Sequence, residues 1–191
     1  MDTCTNAVGL GGAMKHLMLL AACTASVAVA SCATMPTSPP IPLSSSYDPA
    51  EQVIRPGSNS ISGNAVLRTV GGDVRTCAGY PVTIVPVTAY ATERFTAIYG
   101  NSQSGYIPLS QGKTFSPANP HYENEAGRTE TCDSQGNFSF ANIADGSYYI
   151  VTMVVWGVPQ SAYYTERQGG PLFQRVDVSG GETKRVVLTQ N

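Results

Sequence analysis

The sequence is short of charge. Only 13% of its 191 residues are Asp, Glu, Lys or Arg, and the formal net charge is −2. There is no basic stripe and no run of like charges, so no field draws in nucleic acid. Histidine is scarcer, at two residues. No HExxH or CxxC spacing is there to hold a metal, so no metal site and no cofactor are expected. No GxSxG elbow occurs, and "VGGDV" (70–74) and "GGP" (169–171) read as turns, not as phosphate-cradling loops. Long apolar runs are missing too. The longest uncharged apolar stretch, Leu17 to Ala30, has 14 residues, short of the ~20 a spanning helix needs. What is plentiful is Gly (19), Pro (13) and Tyr (10), a composition that suits a turn-rich β protein.

Catalytic parts are few. His121 lies in "NPHYEN" (119–124), a loop-like context that reads as an exposed histidine. A two-carboxylate glycosidase would need a pair such as Asp133 and Asp145 facing one cleft, but both fall where they start turns. The residues give no catalytic set, and a non-enzymatic module is expected. A hydrolase built on His121, a carboxylate and a Ser or Tyr is the remaining enzymatic alternative.

The start of the chain has a different texture. "MKHLMLLAACTASVAVASC" (14–32) opens on a short basic segment, continues as the apolar run and closes on small residues. This is the layout of a secretory signal. Residues 1–13 contain an acid and no base, which makes Met14 the expected start. Val29-Ala30-Ser31-Cys32 resembles the bacterial lipobox, and Leu20-Ala21-Ala22-Cys23 repeats the pattern behind a shorter apolar run. The resemblance implies cleavage before Cys32 and a lipid on its thiol. Ala33 follows Cys32, and by similarity to enterobacterial lipoproteins this implies an outer-membrane destination facing the periplasm or the surface. Residues 33–60 are rich in Pro and Ser without apolar periodicity, the composition of a tether; an ordered arm packed on the domain is the alternative, best placed at Gln52-Val53-Ile54. The expected organisation is a signal peptide at 1–31, a lipidated N-terminus and tether at 32–60, and one β domain at 61–191.

Once Cys4, Cys23 and Cys32 are set aside, Cys77 and Cys132 remain. In an oxidising compartment an even pair reads as one disulfide. Two free buried thiols are the alternative.

Strand patterns occur near 61–68, 81–87, 128–132, 137–141, 147–156, 172–178 and 183–189. The last two read as a closing hairpin. In "SYYIVTMVVW" (147–156) both parities are apolar, so both faces should be covered. Residues 89–99 form the one clear helical segment. Ala91, Phe95 and Ile98 share a face, Thr88 is placed to cap the start and Gly100 the end. That helix is expected over the outer face of the 147–156 strand. Residues 100–127 form a long irregular loop, a feature associated with function.

Several stretches carry a resemblance. "ISGNAVL" (61–67), "GYPVTIVP" (79–86), Asp133-Ser-Gln-Gly136-Asn-Phe138-Ser-Phe140, Asp145-Gly146-Ser-Tyr148 and "VSGGETKRVVLT" (178–189) are together similar to carboxypeptidase regulatory-like domains. These belong with the transthyretin-like and collagen-adhesin B-type sandwiches. The resemblance covers Ile61 to Thr189 and implies an all-β, single seven-stranded Greek-key (prealbumin-like) sandwich, here with an inserted helix and long loop. It also implies an accessory, adhesive or carbohydrate-binding-like role without catalytic residues. The hydroxyisourate hydrolase branch of these folds uses several histidines and a C-terminal Tyr-Arg-Gly-Ser-like motif. This chain ends "LTQN" and departs from it.

Aromatics are the better lead to a site. Tyr106, Phe115, Tyr122, Trp156, Tyr163 and Tyr164 lie in or beside expected loops. Such rings stack on sugars and anchor protein interfaces, or they pack loops onto the sandwich. "YATER" (90–94) and "YYTER" (163–167) nearly repeat, without other self-similarity. The expected partners are a membrane, through the lipid, and an envelope protein or a glycan.

Overall fold

The stretch with two apolar parities is the spine of the molecule. A computed structural model of the chain describes residues 39–113, 115–116 and 119–190. The expected signal peptide, Cys23, Cys32 and the first residues of the expected tether lie outside the described residues. In chain order the strands begin with β1 (Ile41–Pro42), β2 (Asn59–Arg68), β3 (Val74–Thr76) and β4 (Pro81–Pro86). Helix α1 (Ala89–Tyr99) precedes β5 (Ser104–Tyr106) and β6 (Phe115–Ser116). Helix α2 (Pro120–Glu125) is followed by β7 (Arg128–Thr131), β8 (Asn137–Ile143), β9 (Gly146–Ser161), β10 (Tyr164–Val178) and β11 (Thr183–Leu188). The fold is all-β with two main sheets and few helices.

One sheet runs β5-β10-β9-β4-β7. In the other, β2 is flanked by the parallel β11 and by antiparallel partners, β8 along its first half and β3 at its last three residues. The inner faces meet in one core. Ile61, Ala65 and Leu67 of β2, Phe138 and Phe140 of β8, and Val186 and Leu188 of β11 face Ile84, Ile150, Val154, Leu172 and Val176. Cys77 and Cys132 are disulfide-bonded, 55 residues apart in sequence. A cross-link of that loop length is worth about 4 kcal/mol on the chain-entropy account. It joins the end of β3 to the end of β7, and so one sheet to the other.

The outer face of β9 is covered as its pattern requires. Thr88 Oγ1 accepts the Ala91 N–H at 3.1 Å, and Gly100, at φ 79°, donates its N–H to Thr96 O. Between these caps α1 lays Ala91 and Phe95 against Val85, Tyr149 and Phe173. The Phe95 ring centroid is 4.3 Å from that of Tyr149 and 4.7 Å from that of Phe173. Truncating such a ring typically costs 3–5 kcal/mol.

Four sequence expectations need correction. First, 172–178 and 183–189 do not form a hairpin: β10 pairs with β9 and β11 pairs with β2, so the 179–182 turn crosses between sheets. Val176, Val178, Val186 and Leu188 all point inward, which either arrangement allows. Second, strand pairing in the 146–178 hairpin runs through residues expected as loop, continuing past a bulge at Tyr164/Thr165. Third, 100–127 is not irregular throughout, since it holds β5, a 3-10 turn at Leu109–Gln111, β6 and α2; the expected turn at 70–74 likewise runs directly into β3.

Fourth, residues 39–60 do not hang free as a tether. Ile41–Pro42 pairs in parallel with Phe115–Ser116. Tyr47 packs edge-on to Tyr90 and Tyr122, and Gln52 donates to Thr88 Oγ1 at 3.0 Å. Ala144 N donates to Arg55 O. The composition is that of a linker, but specific hydrogen bonds hold the segment down.

Glu93 supplies the clearest of these bonds. Its carboxylate accepts Ser44 N–H, Ser44 Oγ–H and Ser45 N–H, each at 2.8 Å. The Ser44 and Ser45 donors, led by the Ser44 N–H, pull its pKa from the usual 4.5 down to about 2. A depressed carboxyl pKa stabilises the folded state above the unfolded value, and that contribution is lost as pH falls through the folded one. The docked segment is therefore expected to loosen between about pH 4.5 and pH 2. Carboxyl NMR titration should give Glu93 a midpoint near 2, and Glu93→Gln should lower amide protection at Ser44 and Ser45. A midpoint at the ordinary glutamate value would contradict the contact.

Candidate functional site

The core-facing row of β9 outruns the opposite sheet. Tyr148, Ile150, Thr152 and Val154 are buried, and Trp156, next on the same face, is half-buried. Here β2 ends at Arg68 and β11 at Leu188, and the indole is left only partly covered. The hairpin's other neighbours stop short as well: β4 pairs only with Tyr148–Thr152, and β5 only with Leu172–Gln174. The distal half of β9–β10 becomes an arm with a cleft of about 350 Å³ at its root.

Trp156 and Tyr106 both line the cleft, with Pro108, Leu109 and Ser110 along one side and Arg68, Thr69 and Val70 along another. Glu166, Arg167 and Gln168 border it from the arm, and Gln190 from beyond β11. Val70 is fully exposed. Glu166 accepts a hydrogen bond from Gln160 Nε2 at 3.2 Å. Apolar rings thus lie beside planar polar side chains, a layout able to stack a ring and hydrogen-bond its substituents.

Two glycines shape this cleft. Gly169 sits at φ +95°, and a Cβ there would lie 2.1 Å from Val154 O and 2.8 Å from Trp156 Cζ3. At Gly170 a Cβ would lie 2.0 Å from Ile107 O and 3.1 Å from Leu109 N. Bare backbone at these positions lets the indole and the 107–109 segment close in. Ile107 N–H then donates to Pro171 O at 3.2 Å, fixing the wall.

Among the expected binding residues, the structure brings Tyr106 and Trp156 together. Tyr163 and Tyr164 are elsewhere, at the tip of the arm, with 100% and 61% of their surface exposed. Tyr122 is half-buried in a separate aromatic cluster. Its ring packs 5.1 Å from Tyr90, and the Arg94 guanidinium lies 4.7 Å above it. Burial pushes its hydroxyl above the usual tyrosine range. Phe115 stacks at 4.2 Å on the same guanidinium. This cluster borders a smaller, mostly apolar recess of about 230 Å³ that includes Phe95 and Ile98 of α1.

The other candidates are dispersed. His121 lies on α2, not in a loop, and meets Glu125 at 3.2 Å in an exposed contact. Asp133 accepts N–H bonds from Gln135 and Asn137, and Asp145 accepts from Asn59 and from Gly180 N. Both carboxylates hold turns. No group of three or more His, Cys, Asp or Glu suited to a metal occurs among the described residues. Sequence reasoning missed Arg68, Val70, Leu109, Arg167 and the Gly169–Gly170 pair. The signal was present in the glycines, since two in succession inside a strand mark a close approach as readily as a turn.

No family model and no curated protein matches this chain. Among solved structures, a proposed carbohydrate-binding protein from Pseudomonas aeruginosa is similar, with a TM-score of 0.59 and 26% identity. The likeness covers 71% of this chain and 90% of the other.

Gly169→Ala is expected to strain the backbone and push the indole. The cost should be about 2–3 kcal/mol. Trp156 is the one tryptophan, so its fluorescence reports the cleft directly. The variant should melt lower and emit at longer wavelength. Unchanged melting and emission would show that the close contact is not maintained.

Proposed function

We propose that this chain is a non-catalytic, lipid-anchored envelope protein that binds glycan in the Trp156–Tyr106 cleft. The observation that carries this reading is the half-buried indole at the open end of the core, bordered by Arg68, Glu166, Arg167 and Gln168. A sugar ring offers an apolar C–H face to the indole and an equatorial rim of hydroxyls to the polar side chains. The cleft volume lies at the small end of ligand sites and suits a short stretch of glycan. The likeness to a proposed carbohydrate-binding protein supports the same reading. The sequence motifs and the two-sheet arrangement support a carboxypeptidase regulatory-like Greek-key sandwich as the scaffold. The lipobox motif ending at Cys32 supports anchoring at the outer membrane.

A second reading places a protein partner at the tip of the arm. It is favoured by the full exposure of Tyr163 and the large exposure of Tyr164.

Co-sedimentation separates the two. The full chain in mild detergent is spun with peptidoglycan sacculi, insoluble glucan or chitin. Retention on at least one polymer is expected, weakened about tenfold or more by Trp156→Ala, a loss of roughly 1.4 kcal/mol or more. The pair Tyr163→Ala and Tyr164→Ala should leave it intact. Retention lost through the tip pair and kept in Trp156→Ala would move the site to the arm's end.

A further inference from the structure

We infer that the cleft selects an acidic glycan, one carrying carboxylate, sulfate or phosphate groups, over a neutral one; this rests on the glycan reading above. The observation is the distribution of unpaired cations. Arg75, Arg94 and Arg175 each have a carboxylate within 3.5 Å. Arg128, Lys113 and Lys184 donate to main-chain carbonyls. Among the described residues, Arg55, Arg68, Arg167 and Arg185 have no such partner, and Arg68 and Arg167 border this one cleft. The single carboxylate there, Glu166, is engaged by Gln160 and pairs with neither arginine.

A chain of net charge −2 has no general excess of positive charge to place there. Two arginines without ion-pair partners, against the one carboxylate of Glu166, therefore leave a local excess of positive charge beside the tryptophan, a site for anions. Arg68 comes from the end of β2 and Arg167 from the β10 arm. A ligand stacked on Trp156 would have a guanidinium available from each of two elements. The guanidinium fork matches a carboxylate, sulfate or phosphate in two parallel hydrogen bonds. Sugar hydroxyls form weaker, neutral ones. Both arginines are solvent-exposed, so the preference should depend strongly on salt.

Affinity electrophoresis of the full chain in detergent tests this, using gels cast with polygalacturonate, dextran sulfate, a phosphorylated dextran or plain dextran. At low salt at least one acidic polymer is expected to retard the chain about tenfold more strongly than plain dextran. The acidic gel that retards identifies the anionic group. Arg68→Gln with Arg167→Gln should reduce that retardation to the neutral level, as should 0.5 M salt, and Trp156→Ala should abolish it. Equal retardation by neutral and acidic gels overturns the charge preference and leaves the glycan reading standing. Acidic retardation that survives Trp156→Ala overturns the inference, because it would be adhesion of a polyanion outside the cleft. Retardation in none of the gels, together with no co-sedimentation, removes the glycan reading and this inference with it.

Discussion

The antiparallel pairing of β9 with β10, from Gly146↔Val178 to Ser161↔Tyr164, is the contact on which the other elements depend. Its inner face completes the sandwich core, and its outer face receives α1 through Phe95. Covering on both sides requires β9 to be apolar on both faces over its proximal half, and it is. The same length creates the candidate site. A hairpin that outruns β4, β5 and the opposite sheet leaves the last large residue of its core row half covered. Trp156 stands there because the sheets differ in length.

Elsewhere the structure is held by small numbers of specific bonds. The disulfide ties β3 to β7, an edge strand of each sheet, and therefore one sheet to the other. Glu93 holds the N-terminal segment through Ser44 and Ser45. Gln52 reaches the cap residue of α1 and so connects that segment to the helix. At the cleft, the wall is built from main chain lying on the two glycines. These devices place polar backbone and ring faces without adding core, which suits a chain with a modest number of apolar residues.

Much of this was legible. Capping residues and i, i+4, i+7 spacing marked α1, because helix ends and faces are local properties. Cysteine arithmetic marked the disulfide, and strand patterns were found at all seven expected places. What failed depended on tertiary context. Gly157, Pro159 and Gly169-Gly170-Pro171 look like breakers, yet the hairpin pairs straight through them because a bulge and close contacts accommodate them. The inward parity of 172–178 and 183–189 was right, but parity does not say whether neighbouring strands share a sheet. The short elements within 100–127 lack periodicity because tertiary contacts hold them. Tyr122 and Tyr106 were equal candidates by residue type; only packing assigns one to the aromatic cluster around Arg94 and the other to the cleft beside Trp156. The near-repeat is plainer still: Glu93-Arg94 holds a segment and fills an aromatic cage, whereas Glu166-Arg167 borders open solvent.

The central claim is that glycan meets this protein at the root of the arm. Amide and indole chemical-shift mapping with a short acidic oligosaccharide tests it most directly. The account expects the largest changes at the Trp156 indole N–H, Gly169 and Val70, with Tyr163 and the α1 amides unmoved. Changes confined to the arm's tip, or to the recess beside Tyr122, would contradict it.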